Sequence, residues 1–394
     1  MTSRKASPHA DRQAWLAHPK RVVVKVGSGV LSRGGISLHR PAITRLASAL
    51  AGLRARGIEV VLVSSGAILA GMEALGLTER PRDLPLKQAA AAVGQSHLMR
   101  AYDEAFQPCG QRVAQILLTQ EDLRHRGRYL NARNTFFTLL RLGIVPIVNE
   151  NDTVAVREIQ FGDNDTLSAL VANLAEADLL VILTDTEGLF TADPRRDPSA
   201  QLIPLVRPQD AVTSFCAEEA GSAASIGGMS SKVLAARRAA TAGIPTVVAS
   251  GLHPGVLDTI LRGADVGTFF RPSGSRMQSR KRWLAFASQP RGGIVVDAGA
   301  RQALVAGGKS LLPSGIRLTR RGFRAGDVVS LLDPEDREFA RGLANYSRDE
   351  VEKIKGLKSH EIAAVLGSKP YDEVVHRDNL VILERLHATA DTQR

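Results

Sequence analysis

Cysteine and aromatic residues are scarce in this chain of 394 residues, which holds two Cys, two Trp, four Tyr and 11 Phe. Cys109 and Cys216 stand far apart, with no second Cys or His at ligand spacing. That argues against a zinc site and a disulfide framework, and the expectation is two buried, reduced thiols. The shortage of aromatics beside abundant Ala, Val, Leu and Gly fits a soluble α/β protein better than an all-β one. Long apolar runs are absent as well. No segment reaches the roughly 18 apolar residues needed to span a bilayer, and the first twenty residues carry charge throughout without a signal-like apolar core, so a cytoplasmic protein with no membrane partner is expected.

The length is enough for two domains with sizeable cores. The formal charge of +11 is uneven: residues 271–394 hold 22 Lys and Arg against 15 Asp and Glu, or +7, which leaves +4 for the first 270. An anionic partner for the C-terminal part is therefore worth considering.

Residues 1–20 are polar and irregular and are expected to form a flexible tail. From Arg21 the chain alternates β-branched runs with helical periods. Arg21–Val26 reads as a buried parallel strand ending in Gly27-Ser28-Gly29. Arg40–Arg56 places Ile43, Leu46, Leu50 and Leu53 on one helical stripe and stops at Gly57. Ile58–Val63 is a second strand, broken at Ser64-Ser65-Gly66-Ala67 before another helix. Lys87–Met99 is a small-residue helix whose alanines permit close packing, and its His97 reads as structural rather than catalytic. Further strands are expected at Val113–Leu118, Ile144–Val148, Ala177–Leu183 and Gly243–Ala249. The pattern over residues 21–270 predicts a largely parallel sheet with helices on both faces, a three-layer αβα sandwich. Arg271–Arg282 is basic and lacks a hydrophobic period, as an exposed linker would, and residues 271–290 are assigned to that linker. Residues 291–380 change to short strands and turns (Gly293–Asp297, Phe323–Leu332, Glu338–Tyr346), which suits a small β-barrel-like domain. Residues 381–394 are left as a C-terminal tail.

The chemistry gathers at strand ends. Lys25 interrupts an apolar strand one residue before its glycine turn, where an ammonium would point at phosphate bound against loop amides, although an edge-strand Lys reaching solvent would look the same. The loop is no Walker A motif, because the Lys precedes the glycines. Ser64 and Ser65 ahead of a helix start could form an anion pocket or simply turn and cap the chain. Gly227-Gly228-Met229-Ser230-Ser231-Lys232 offers a second glycine loop with a Lys. Thr184 and Asp185 close another strand on the carboxyl edge, where open α/β sheets bind ligands. Between residues 145 and 170 stand Asn149, Glu150, Asn151, Asp152, Asp163, Asn164 and Asp165. One helix cap, the plain structural role for Asp165, explains one acid and not seven polar groups. Two lysines on separate loops with this acid and amide cluster suggest phosphoryl transfer from a nucleotide, which needs alignment and charge neutralisation rather than covalent catalysis.

These motifs, together with Gln88–Gln95, Leu183-Thr184-Asp185 and Gly188–Pro194, resemble the amino acid kinase family, and within it the glutamate 5-kinase branch, over about residues 20–380. The C-terminal stretches Ser310–Ile316 and Phe323–Tyr346 resemble the PUA domain that many bacterial members carry. The resemblance implies an enzyme, a phosphotransferase with a carboxyl acceptor, that uses ATP with Mg²⁺ to phosphorylate L-glutamate on its γ-carboxylate, the first step of proline biosynthesis. It implies catalytic roles for Lys25, Lys232 and Asp165, with Asp165 organising the two lysines. Ser65, Gly66, Ala67, Asn149, Asp152 and Asn164 match substrate positions. Lys25, Gly27, Ser28, Thr184, Asp185 and Gly227 through Lys232 match ATP positions. Metal-contacting groups and the role of Asp163 are not assigned. The resemblance further implies feedback inhibition by proline and a homo-oligomer, dimer or tetramer. Ile226 stands where Thr is common before the glycine pair, so any hydroxyl contact there is lost.

Aspartate, N-acetylglutamate, carbamate and uridylate kinases share this sheet but are not expected to combine the PUA-like tail with Gly162-Asp163-Asn164-Asp165. A different class of reading, an RNA-binding protein acting through the C-terminal domain, is disfavoured by the modest charge excess and the absence of a stacking platform.

Overall fold

The computed structural model describes residues 8–16, 18–32, 34–154, 163–210, 228–272, 281, 284, 289–368 and 371–383. It forms two compact units, residues 1–123 with 127–276, and residues 124–126 with 277–394.

The larger unit is built on eight described strands: β1 (Arg21–Val26), β2 (Glu59–Ser64), β3 (Arg112–Leu118), β4 (Ile144–Glu150), β5 (Leu179–Thr184), β6 (Leu205–Val206), β7 (Thr246–Ser250) and β8 (Thr268–Phe270). They lie in the order β3-β4-β2-β1-β5-β7-β8-β6. Every described pairing is parallel except β7 with β8. The antiparallel turn into β8 lies beyond Gly243–Ala249, where the sequence reading ended the sheet. The helices are α1 (Pro8–Leu16), α2 (Ser28–Ser32), α3 (Arg40–Ala55), α4 (Ala67–Leu75), α5 (Leu84–Phe106), α6 (Gln120–Arg124), α7 (Arg126–Arg141), α8 (Asp163–Leu174), α9 (Met229–Thr241) and α10 (Val256–Leu261).

The strands are apolar because the sheet is covered by helices. All residues of β5 and β7 are buried, and Val22, Val24, Leu62, Val181 and Val247 share one core with the α3 stripe of Ile43, Leu46, Leu50 and Leu53. The topology matters more for function. From β1 the chain lays down β2, then β3 at the edge and β4 between them on one side, then crosses to β5 and β7 on the other. The strand order thus reverses around β1, and a crevice opens at its carboxyl end.

Helices α4 and α5 approach closely. A Cβ at Gly71 would lie 1.7 Å from the carbonyl oxygen of Ala90, and one at Gly94 would lie 1.8 Å from that of Ala67. Glycine is required at both positions by the partner backbone. The expected small-residue helix is therefore real and longer than Lys87–Met99, and His97 lies exposed on its surface.

The N-terminal stretch expected to be flexible contains a docked helix. In α1, Leu16 and Arg12 are buried, Arg12 donates to the carbonyl of Val266, and its guanidinium lies over the Phe269 ring. Two buried residues four apart did not register against the polar background of the segment. Cys109 is free but only partly buried, on the turn after α5.

The smaller unit holds β9 (Gly292–Val296), β10 (Ile316–Arg320), β11 (Val328–Leu332), β12 (Glu338–Leu343) and β13 (Leu380–Ile382) in the order β10-β9-β11-β12-β13, with α11 (Ala298–Val305), α12 (Arg348–Ile354) and α13 (Ile362–Leu366). Only β9 and β11 pair in parallel among its described strands. Phe339, Val329, Leu331, Tyr346 and Val351 lead a core of its own. Two expectations fail here. Phe323–Leu332 is a strand only from Val328, because Asp327 accepts from the Arg324 N–H and closes a turn before it. Strand β10 was not anticipated, since two of its five residues are the exposed Arg317 and Arg320, three apart, and a bulge between Ile316 and Leu318 breaks the alternation. Among the described residues no helix is long and apolar enough to cross a membrane.

Candidate active site

The crevice is lined by the carboxyl ends of β1, β2, β4 and β5. Lys25 pairs within the sheet with Val63 on β2 and Ile182 on β5, so its side chain starts in the sheet interior and is almost fully buried. Its Nζ lies 2.5 Å from Asp165 Oδ1. Lys232, on the first turn of α9, approaches the other oxygen of the same carboxylate at 3.3 Å and also donates to the Gly228 carbonyl at 2.7 Å. Ser231 Oγ donates to Asp165 Oδ2 at 2.7 Å. Asp165 lies inside the first turn of α8 rather than before it, and its carboxylate serves the two lysines instead of capping the helix.

Burial pushes Lys25 below the ordinary lysine value, aided by Lys232 and opposed by Asp165. Burial alone would raise Asp165, but Lys25, Lys232 and the Ser231 hydroxyl outweigh it and hold the carboxyl below its usual range. The carboxylate is therefore ionised, and the buried Lys25 and the partly buried Lys232 share its one negative charge.

A second group of residues faces this triad. Ser65 follows β2, its N–H donating to the Val26 carbonyl at 3.2 Å, and its Oγ accepts from Asn164 Nδ2 at 3.4 Å. The Glu150 N–H is shared by Asn149 Oδ1 at 2.9 Å and Asn164 Oδ1 at 3.3 Å. Both amide oxygens are thus engaged by the protein, and the buried Asn149 Nδ2 has no acceptor. Gly66, at φ +105°, turns the chain into α4, whose first residue is Ala67. Asp152 lies just past β4, and burial raises its carboxyl to about 6.

The third group sits on the far side of β1. Gly27 N–H donates to the Leu183 carbonyl at 3.1 Å, α2 begins at Ser28, and Thr184 Oγ1 donates to Asp185 Oδ1 at 3.0 Å. A Cβ at Gly29 would lie 2.9 Å from Asp185 Oδ2, so this turn and the exposed Asp185 are in close contact. Gly228 leads into α9, whose first two residues are Met229 and Ser230. Gly227 and the Asp163 side chain lie outside the described residues. Tyr102 and Gln95 were given no role in the sequence reading: Tyr102 contacts Ser64, and Gln95 donates to the Glu150 carbonyl at 3.3 Å. Gln95 closes the motif stretch Gln88–Gln95 without a local signal of its partner, and Tyr102 lies beyond the helix read over Lys87–Met99.

Backbone turns, two lysines and one shared carboxylate at the switch point of a mostly parallel sheet describe a phosphoryl-transfer site. Residues 20–250 match the model of the amino acid kinase family, and residues 292–366 match the PUA domain. The chain belongs to the amino acid kinase family. Within it, the chain is similar along nearly its whole length to proteins named glutamate 5-kinase. The one from Geobacter sulfurreducens is 51% identical over 372 residues, covering 94% of this chain and 100% of that protein. Those from Moorella thermoacetica and Burkholderia multivorans are each 52% identical over 368 residues, covering 93% of this chain and 97% and 99% of theirs.

Proposed function

We propose that this chain transfers the γ-phosphoryl group of ATP to the γ-carboxylate of L-glutamate, giving L-glutamyl 5-phosphate and ADP in the first step of proline biosynthesis. One observation carries the phosphoryl-transfer part: Lys25 and Lys232 share the single carboxylate of Asp165 in a buried setting. Buried charge is costly unless compensated, so the pair of ammonium groups is completed by an anion, and a transferring phosphoryl group supplies one. The similarity to glutamate 5-kinases supports the choice of acceptor.

In this reading Lys25 and Lys232 neutralise charge on the phosphoryl oxygens while Asp165 and Ser231 hold both at fixed separation. Thr184, Asp185, Gly27, Ser28 and residues 227–232 receive the nucleotide. Asp152 takes the α-ammonium of glutamate. Asn149 Nδ2, Ser65 Oγ and the N–H groups of Gly66 and Ala67 meet its α-carboxylate, and Asn164 ties those two walls together. The γ-carboxylate attacks in line with the leaving ADP. It is already ionised near neutral pH, so no side chain has to remove a proton. Mg²⁺ enters with ATP and is held largely by phosphate oxygens, where it offsets their charge. The exposed Asp185 carboxylate, at the end of β5, fits a contact to its water shell.

The same reading includes feedback inhibition by proline at or near the glutamate site, a homo-oligomeric enzyme and action in the cytoplasm. ADP release measured with purified protein, ATP and Mg²⁺ tests it. Release should require L-glutamate, not follow from aspartate or UMP, and fall when proline is added. Release independent of glutamate refutes the assigned acceptor.

A further inference from the structure

Behind the end of β2, helix α5 buries Tyr102, a side chain that none of the roles above uses. Its hydroxyl oxygen lies 2.7 Å from Ser64 Oγ, and Ser64 Oγ lies 2.8 Å from the carbonyl oxygen of Ser65. Tyr102 and Ser64 are both fully buried. A serine hydroxyl has one proton to give, and a carbonyl oxygen only accepts. Ser64 therefore donates to Ser65, and Tyr102 must donate to Ser64. Burial pushes the phenol above its ordinary value, so it keeps the proton that this arrangement needs. The donors run one way, from Tyr102 through Ser64 to the Ser65 carbonyl.

That direction sets the next peptide. In a planar trans peptide the N–H points opposite to the C=O. With the Ser65 carbonyl drawn inward, the Gly66 N–H is turned outward, away from the apolar layer that holds Tyr102. Gly66 sits at φ +105°, and a glycine has other conformations equally open to it, so the orientation has to be held by its surroundings. The holder is well anchored, because α5 is pressed against α4 through Gly94 and Gly71.

We propose that Tyr102 is a positioning residue for the amino-acid substrate. Acting through Ser64, it fixes the Ser65–Gly66 peptide so that Ser65 Oγ and the Gly66 N–H meet a substrate carboxylate together. The proposal rests on residues 65–67 forming the glutamate wall of the site described above. It assigns a substrate-specific task to a hydrogen bond with no direct contact to substrate.

Tyr102→Phe removes one oxygen and keeps the ring. Steady-state kinetics of the full chain, varying glutamate and ATP separately, should show KM for glutamate raised about tenfold, the size expected for one lost buried hydrogen bond. KM for ATP should stay within about twofold and kcat within about threefold, small beside that tenfold change. Ser64→Ala should have the same signature, and the double variant should be no worse than either single one, because both cut one chain. Ser64→Thr, which keeps the hydroxyl, should retain a KM close to the parent value. A lower Tm with unchanged KM for glutamate overturns the proposal, as do effects that multiply in the double variant. Should Tyr102→Phe fail to fold, Ser64→Ala alone decides by the same two readouts. The parent enzyme keeps the layers apart: if it shows no glutamate dependence, the assigned acceptor falls and this role with it, whereas a glutamate-dependent parent with an unaffected Tyr102→Phe refutes only the positioning role.

Discussion

Lys25 Nζ and Asp165 Oδ1 form a buried ion pair at 2.5 Å, while Asp165 Oδ2 is left to Lys232 at 3.3 Å and to the Ser231 hydroxyl. The two lysines are not equivalent. Lys25 is fixed in the middle of the sheet and loses the most hydration, whereas Lys232 hangs from the first turn of α9 by its bond to the Gly228 carbonyl. The second lysine is the one whose position depends on a loop.

Lys232→Ala should therefore act on turnover. The loss of one preorganised charge from a developing phosphoryl transition state costs about 10²–10³ in kcat. KM for glutamate should move little, since among the described residues the hydrogen bonds and ion pair of Lys232 go to Gly228 and Asp165 and not to residues 149–152. A variant with normal kcat and a large rise in that KM would contradict the assignment.

Asp152 should give the enzyme an acid limb. Burial raises its carboxyl to about 6, and only the ionised form pairs with an α-ammonium. KM for glutamate should rise as pH falls through about 6, and Asp152→Asn should bind glutamate poorly and flatten that limb. The stability effect has the opposite sense. A carboxyl whose folded value is raised favours the fold below its unfolded value, and that contribution is lost as pH rises through about 6. Asp152→Asn should consequently melt at a higher Tm than the parent at pH 8, which thermal denaturation at pH 5 and pH 8 would measure.

Gly29→Ala separates the nucleotide from the amino acid. Its new methyl would lie 2.9 Å from Asp185 Oδ2, and the carboxylate must swing away from the end of β5. KM for ATP should rise about tenfold, equal to roughly 1.4 kcal/mol, with KM for glutamate unchanged. Isothermal titration with an ATP analogue checks the same point without turnover.

A chain ending at residue 279 should keep glutamate-dependent ADP release. The two units have separate apolar cores, one led by the β1, β2 and β5 valines and the other by Phe339, Val329 and Val351. Loss of all kinase activity together with a normally folded product would mean that residues 280–394 take part in the reaction, and would reopen the RNA-centred reading.

The parts of this site that could be read in the sequence share a physical reason. Lys25, Asp165 and the amides at 149–164 are polar groups in or beside apolar strands, and burial in a covered sheet leaves a strong pattern against which they stand out. Residues acting from helices did not stand out. Tyr102 lies among alanines and leucines on α5, where an aromatic looks like packing, and its partner Ser64 looks like a turn former. Asn149 and Asn164 match substrate positions in the resemblance, yet both spend Oδ1 on the Glu150 N–H, and Asn149 Nδ2 has no acceptor among the described residues. Amide polarity of that kind depends on a neighbour fourteen residues away. Helix α1 was missed because Arg12 and Leu16, its buried residues among those described, are set in a polar background, and strand β10 because a bulge and two exposed arginines break its alternation.

The pressing of α4 onto α5 sets limits on how this enzyme could change its acceptor. Gly71→Ala or Gly94→Ala would drive a methyl into a carbonyl oxygen, at 1.7 Å and 1.8 Å respectively. Overpacking that only backbone movement can relieve is expected to cost about 3 kcal/mol or more, and urea titration of either variant should show it. Because Ser65 and Gly66 lead into the helix so clamped, the wall of the amino-acid pocket proposed there has almost no freedom to drift. In that reading, a lineage selecting a longer or shorter acceptor would have to do so at the other proposed wall, by remodelling residues 149–152. Mutational libraries aimed at altered specificity should accordingly yield viable hits there and mostly unfolded protein from the glycines of α4 and α5.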